Sequence, residues 1–187
     1  MLSTFRAMSV TSDDVVGFWM DAGPAKWFAR DDAFDAVLRD RFEAAHHAAA
    51  RRELVAWNKT HVGSLGLILL LDQIPRNMYR NSAHAFATDG LARLAADEAI
   101  QDGHDMATPL PLRVFFYMPY QHAEDAALQD LSVKLITATG DAAFTRYADV
   151  HRDIIVRFGR FPHRNAPLGR AGAAEEERFL ADGGFAG

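Results

Sequence analysis

Cysteine is absent from the 187 residues. That excludes disulfides and thiolate chemistry, and leaves any structural zinc site to histidine and carboxylate. Long apolar runs are absent too. The longest, residues 65–71, is interrupted by Gly66 and falls far short of the roughly 20 residues that a membrane span needs. No apolar core of signal-peptide length follows the opening "MLSTFRAMSV", so the chain is expected to be unsecreted, soluble and cytoplasmic. Positive charge is in deficit: the formal net charge is −5. That balance argues against general nucleic-acid binding, which rests on neutralising many phosphates. There is no GxxxxGK(S/T), no GxGxxG and no GxSxG, so phosphate loops, dinucleotide folds and the common hydrolase elbow are unsupported. No HExxH occurs either, so no metal site is expected, and no motif specifies a cofactor.

Helical periodicity is what the chain has in quantity. With 49% hydrophobic and 24% charged residues it has the composition of an ordinary globular domain. The expected architecture is one all-α domain over residues 1–187, with residues 1–10 disordered. "TSDDVVGFWM" offers Thr11 or Ser12 as an N-cap, followed by acids in the first turn, where the helix dipole favours them. "DDAFDAVLRDRFEAAHHAAARRELVAW" places Phe34, Val37, Leu38 and Phe42 at helical spacing, with His46 and His47 read as surface residues. "HVGSLGLILLLDQ" is apolar all round, as a buried central helix would be, and Pro75 ends or restarts it. Further helices are expected over "FATDGLARLAADEAIQDG", "HAEDAALQDLSVKLITATG", "DAAFTRYADVHRDIIVRFG" and "GAAEEERFLADGG". "MATPLPLRVFFYMPY" is proline-broken: one short helix over residues 112–118, or an extended piece.

Four stretches carry polar residues that the local pattern does not require. In "LLLDQIPRN", Asp72 sits at a helix end where the dipole disfavours an acid, so a cation is expected beside it, with Arg76 one turn on. In "FATD", Asp89 is read first as a helix cap or first residue. In "HAEDAALQ", helical spacing puts His122, Asp125 and Gln129 on one stripe away from the leucines, an arrangement in which a carboxylate could fix the tautomer of an acid–base histidine. The fourth, "HRDIIVRFGRFPHRN", gathers four arginines and two histidines around one acid, Asp153, which i,i+4 spacing pairs with Arg157. Gly159 ends its helix, and Pro162 fixes an irregular loop that pre-orients Arg160, His163 and Arg164.

Together these stretches resemble the bacterial proteins grouped as domain of unknown function 924. The resemblance rests on Phe18–Trp19, Trp27–Phe28, "LLLDQIPRN", "FATD", "HAED" and "RFGRFPHRN", followed by "LGR" and "EE". It implies an all-helical fold similar to tetratricopeptide-like repeats, although no repeat period is visible, and it implies no established activity. Two departures lose a hydroxyl: Ala123 stands where the family usually has serine, and "AGAA" replaces a Ser–Thr pair.

Two functional classes follow. In the first, Asp72, Arg76, Asn77, Arg160, Arg164 and Asn165 bind a small anionic ligand, because arginines on a fixed loop suit a carboxylate or phosphate. Were the protein an enzyme, His122, Asp125 and His163 would move the protons. In the second, a helical scaffold binds a peptide or partner protein, and the same residues form an internal ion network. RNA binding would require the arginines to be spread along an open face.

Overall fold

The computed structural model describes residues 10–187, and every regular element among them is helical. The expected disorder of residues 1–10 falls, but for Val10, outside the described residues. Thr11 is the N-cap of α1 (Ser12–Ala22): its hydroxyl accepts from the Asp14 amide, and its own amide donates back to the Asp14 carboxylate at 2.9 Å. Gly23, at φ 70°, turns the chain into α2 (Pro24–Trp27). Trp27 donates to the Trp19 carbonyl at 2.6 Å and stacks on its ring, closing a corner that Phe115 fills edge-on.

α3 (Asp32–Ala50) buries Phe34, Leu38, Phe42, Ala45 and Ala49, whereas Val37 faces solvent. His46, expected on the surface, is completely buried. It lies one turn beyond Phe42 on the same stripe, and only a polar partner inside the protein makes that position tolerable. The partner is the Leu70 carbonyl, 2.8 Å from Nδ1.

That carbonyl belongs to the central strut of the fold. α4 (His61–Ile68) runs into a π-helical turn, Leu69–Gln73, and then into α5 (Ile74–Met78). Residues 63–75 are all buried, as their all-round apolarity requires. The packing is tight enough that a Cβ on Gly63 would meet the Trp57 carbonyl at 1.9 Å. Pro75 neither ends nor restarts this strut. Its ring would clash with the carbonyl four residues back and it has no N–H to donate, and the widened turn absorbs both defects. The Ile74 amide bonds to the Leu69 carbonyl instead. The carbonyls of Leu70 and Leu71 are thereby left to side chains from elsewhere, His46 and Thr88. The proline thus creates the sockets into which polar side chains plug.

α6 (Asp89–Gln101) packs on this strut through Ala92, Ala95, Ala96 and Ala99. The proline-broken stretch is a chain of short turns: α7 (Leu110–Arg113), a 3-10 turn and α8 (Met118–Gln121), which together bury Phe115, Phe116, Tyr117 and Tyr120. α9 (Ala126–Thr137) and α10 (Ala142–Phe158) form a hairpin about Gly140. The stripe of α9 that is fully buried is Gln129, Ser132 and Ile136, and the leucines pack partly buried along its flank. Gly159 closes α10 in the left-handed conformation (φ 69°), and α11 (Ala174–Ala181) follows the arginine-rich loop. Arg157 meets Glu175 at 2.7 Å, not Asp153, which lies against Arg152. No helix among the described residues is long and apolar enough to cross a membrane.

Candidate functional site

The four polar stretches converge around the π-turn. Asp72, on that turn, has no solvent exposure at all. One carboxylate oxygen faces His122 Nδ1 at 2.8 Å and Arg76 Nη1 at 3.2 Å, and the other accepts from Gln73 at 2.6 Å. Burial alone would favour the neutral acid, but the Arg76 cation and the His122 contact hold the carboxyl well below the usual range. An ionised acceptor at Nδ1 fixes the histidine tautomer: Nδ1 carries the proton and Nε2 carries the lone pair. Burial, reinforced by Arg76, pushes the His122 pKa down, so the ring is neutral at physiological pH. Its Nε2 has no protein partner among the described residues.

Asp89 is the first residue of α6, in accord with its expected place, but its carboxylate does more than begin a helix. It takes both Nη atoms of Arg76 at 2.9 Å and one of Arg164 at 3.3 Å. Arg164 is sandwiched between the rings of Phe86 and Phe161, its guanidinium carbon 4.6 and 4.5 Å from their centroids. Burial and the neighbouring Arg76 pull its pKa down to about 10. Its Nε is buried without a partner, as is Nδ1 of the adjoining His163. His151, from α10, gives its Nδ1 proton to the Tyr147 carbonyl and stands 6.1 Å, centroid to centroid, from His122. Phe185 covers both His151 and His163.

Arg160 stands apart. It grips Glu176 with Nε and Nη2 at 2.6 and 2.7 Å and gives a further bond to the Ala171 carbonyl. Arg160 thus has a carboxylate of its own, and its hydrogen bonds hold Glu176 down to about 2. Asn165 donates to the same glutamate and accepts from Arg170, whose other nitrogens clamp Glu124 at 2.7 and 2.9 Å. Glu124 also accepts the Phe161 amide, tying "HAED" to "RFPHRN". Asn77 is engaged elsewhere, with Asp35 of α3, which Arg80 also grips.

Asp125 does not orient a histidine. The chain turns between α8 and α9, so the predicted stripe is broken, and the exposed Asp125 carboxylate caps α9 by accepting from the Leu128 amide at 3.0 Å. The carboxylate that orients His122 is Asp72, fifty residues away in sequence. Sequence spacing could not supply that pairing. Asp89 and His151 were both visible in quoted stretches, but a cap and a helix interior were sufficient local explanations for them.

The model of a family described as bacterial proteins of unknown function, domain of unknown function 924, matches residues 15–184. The chain belongs to this family. The chain is also similar to a solved structure of a protein of unknown function from Agrobacterium tumefaciens, at 52% identity and a TM-score of 0.89, over 92% of this chain and 97% of that one. No curated protein matches it. In "AGAA", Ala173 is the N-cap of α11 and has no side-chain oxygen to offer, and only the Glu176 half of a capping box remains, accepting from the Ala173 amide at 2.7 Å.

Proposed function

We propose that this family member binds a small anionic molecule beside Arg164 and Arg76, and that His122 exchanges a proton with it. The observation that carries the reading is the coincidence, on adjoining residues, of two buried polar atoms lacking partners, Arg164 Nε and His163 Nδ1, in the same site as His122, whose Nδ1 is taken by Asp72. Buried donors and acceptors are nearly always satisfied in folded proteins, and a cluster that is not calls for a partner the chain itself does not supply. Arg164, flattened between two rings, presents its guanidinium in a fixed plane, the geometry that suits a carboxylate or phosphate. His122, neutral and locked in one tautomer by Asp72, is set up as a general base toward whatever lies against Nε2. Arg160 and Asn165 support the loop, and Asp125 takes no part.

Thermal unfolding with a panel of small anions tests this. Phosphate, sulfate or a carboxylate metabolite should raise the parent melting temperature; at about 100 times the dissociation constant the gain corresponds to roughly 2.7 kcal/mol. Arg164→Gln should abolish the gain and Arg160→Gln should keep it. If no anion shifts the parent more than it shifts Arg164→Gln, the arginines are internal struts. The tetratricopeptide-like scaffold with a peptide or protein partner is then the better account.

A further inference from the structure

We propose that His46, His47 and His84 form a binding site for one divalent transition-metal ion of the zinc type, with a fourth position open to water. One ring nitrogen from each histidine can be chosen so that all three lie within 4.8 Å of one another. Three nitrogens bound tetrahedrally at Zn–N distances of 2.0–2.1 Å stand about 3.3 Å apart, so closure asks only for small ring rotations. The site is independent of the anion site: the two flank the π-turn, His46 on the Leu70 carbonyl and His122 on the Asp72 carboxylate.

His46 carries the argument. Its Nδ1 faces a carbonyl, which can only accept, so Nδ1 bears the proton and Nε2 is left with a lone pair. That Nε2 is completely buried and has no partner. A histidine whose far nitrogen donates to a backbone carbonyl while the near one looks into a cluster of further imidazoles is the arrangement that metal-binding histidines adopt, since the carbonyl fixes the tautomer.

The other two ligands, less buried than His46, are positioned by Tyr79. His47 follows His46 on α3, and Tyr79 places its hydroxyl 3.4 Å from His47 Nε2 while donating to Glu43. His84 sits on the 3-10 turn Ala83–Phe86, whose start is fixed by Ser82 accepting from the His84 amide. The Tyr79 ring stacks on His84 at 4.0 Å and 6°. The three histidines come from two elements, and none of these contacts uses the Nε2 lone pair of His46. Histidine is a good ligand for zinc, copper and nickel, and the absence of thiolates does not disfavour such a site.

Untagged protein stripped with chelator and then dialysed should bind one equivalent of zinc chloride in isothermal titration. His84→Ala, on a surface turn, and His47→Ala should each weaken that binding by more than about 10-fold, the least that loss of even an orienting partner brings. His61→Ala, a histidine outside the cluster, should bind as the parent does. Metal-free melts of His84→Ala should match the parent, so that a loss of binding is not a loss of fold. A parent that binds no zinc, or a His84→Ala protein that binds it with parental strength, overturns the site.

Discussion

Arg160 and Arg164 belong to the same loop, four residues apart, and they live in opposite electrostatic circumstances. Arg160 reaches outward to a carboxylate whose two oxygens meet its Nε and Nη2, and Nη2 also donates to the Ala171 carbonyl. Arg164 turns inward, shares one carboxylate with Arg76 at 3.3 Å, and leaves Nε unanswered. Ion pairs of the first kind are sufficient explanations of themselves: they tie α11 to the loop and ask for nothing more. A buried cation of the second kind is poorly served by the folded chain alone. Matching separates a strut from a candidate ligand contact here better than residue type or loop position does.

The strongest test of that contrast removes each arginine's acid. Asp89→Ala leaves Arg164 without a carboxylate and Arg76 with Asp72 alone, and loss of one partner from a buried pair costs about 3–5 kcal/mol. Glu176→Ala also costs the Asn165 bond and the cap of α11, but it leaves no buried cation unpaired, because Arg160, whose side chain is 31% exposed, can turn to water; its loss should be smaller. Urea unfolding of the two variants decides the point. Equal losses would mean that the two ends of the loop are energetically alike.

Acid should expose the buried side next. Burial pushes His151 and His163 down to about 3, from an ordinary value of 6.5. Between those limits the unfolded chain takes up protons that the folded chain refuses, so stability falls as pH falls below about 6.5. Each such histidine contributes up to about 1.4 kcal/mol per pH unit, and because the unfolded imidazole is only half protonated at pH 6.5, the two together remove about 3 kcal/mol between pH 6.5 and 5. His46 and His122, shifted in the same direction, add to the slope. The carboxylates of Asp72 and Glu176, held low by their arginines, act only at more acid pH. Unfolding free energies that stay flat from pH 6.5 to 5 would contradict this, and His151→Asn should reduce the slope by one proton's worth.

The sequence announced the helices more clearly than their partnerships. Thr11, Gly23, Gly103, Gly140 and Gly159 all act where capping and turn chemistry place them, because those signals are local. Asp72 and Arg76 were legible as a pair because they are one helical turn apart. The π-turn was not legible: Pro75 in a helix usually ends it, and only tertiary packing makes the wider turn worthwhile. From that one local surprise come the freed carbonyls, the burial of His46 and the histidine cluster. The expected partner of Arg157 failed for the opposite reason, since i,i+4 spacing supplies a neighbour but Glu175 from a later helix offers a better-placed one.

Asp125 supplies the mildest test, and it separates helix capping from site chemistry. Its carboxylate accepts the Leu128 amide and is exposed, so Asp125→Ala removes a cap worth about 1 kcal/mol and should lower the melting temperature by a few degrees at most. Asp125→Ser should restore most of that, because a hydroxyl caps nearly as well. The anion-induced shift should be the same in parent, Ala and Ser proteins, since no atom of the Asp72–His122–Arg164 chain touches Asp125. A shift lost in Asp125→Ala and unrecovered in Asp125→Ser would restore Asp125 to the site as a charge acting on His122, and Asp72 would no longer be its sole orienting acid.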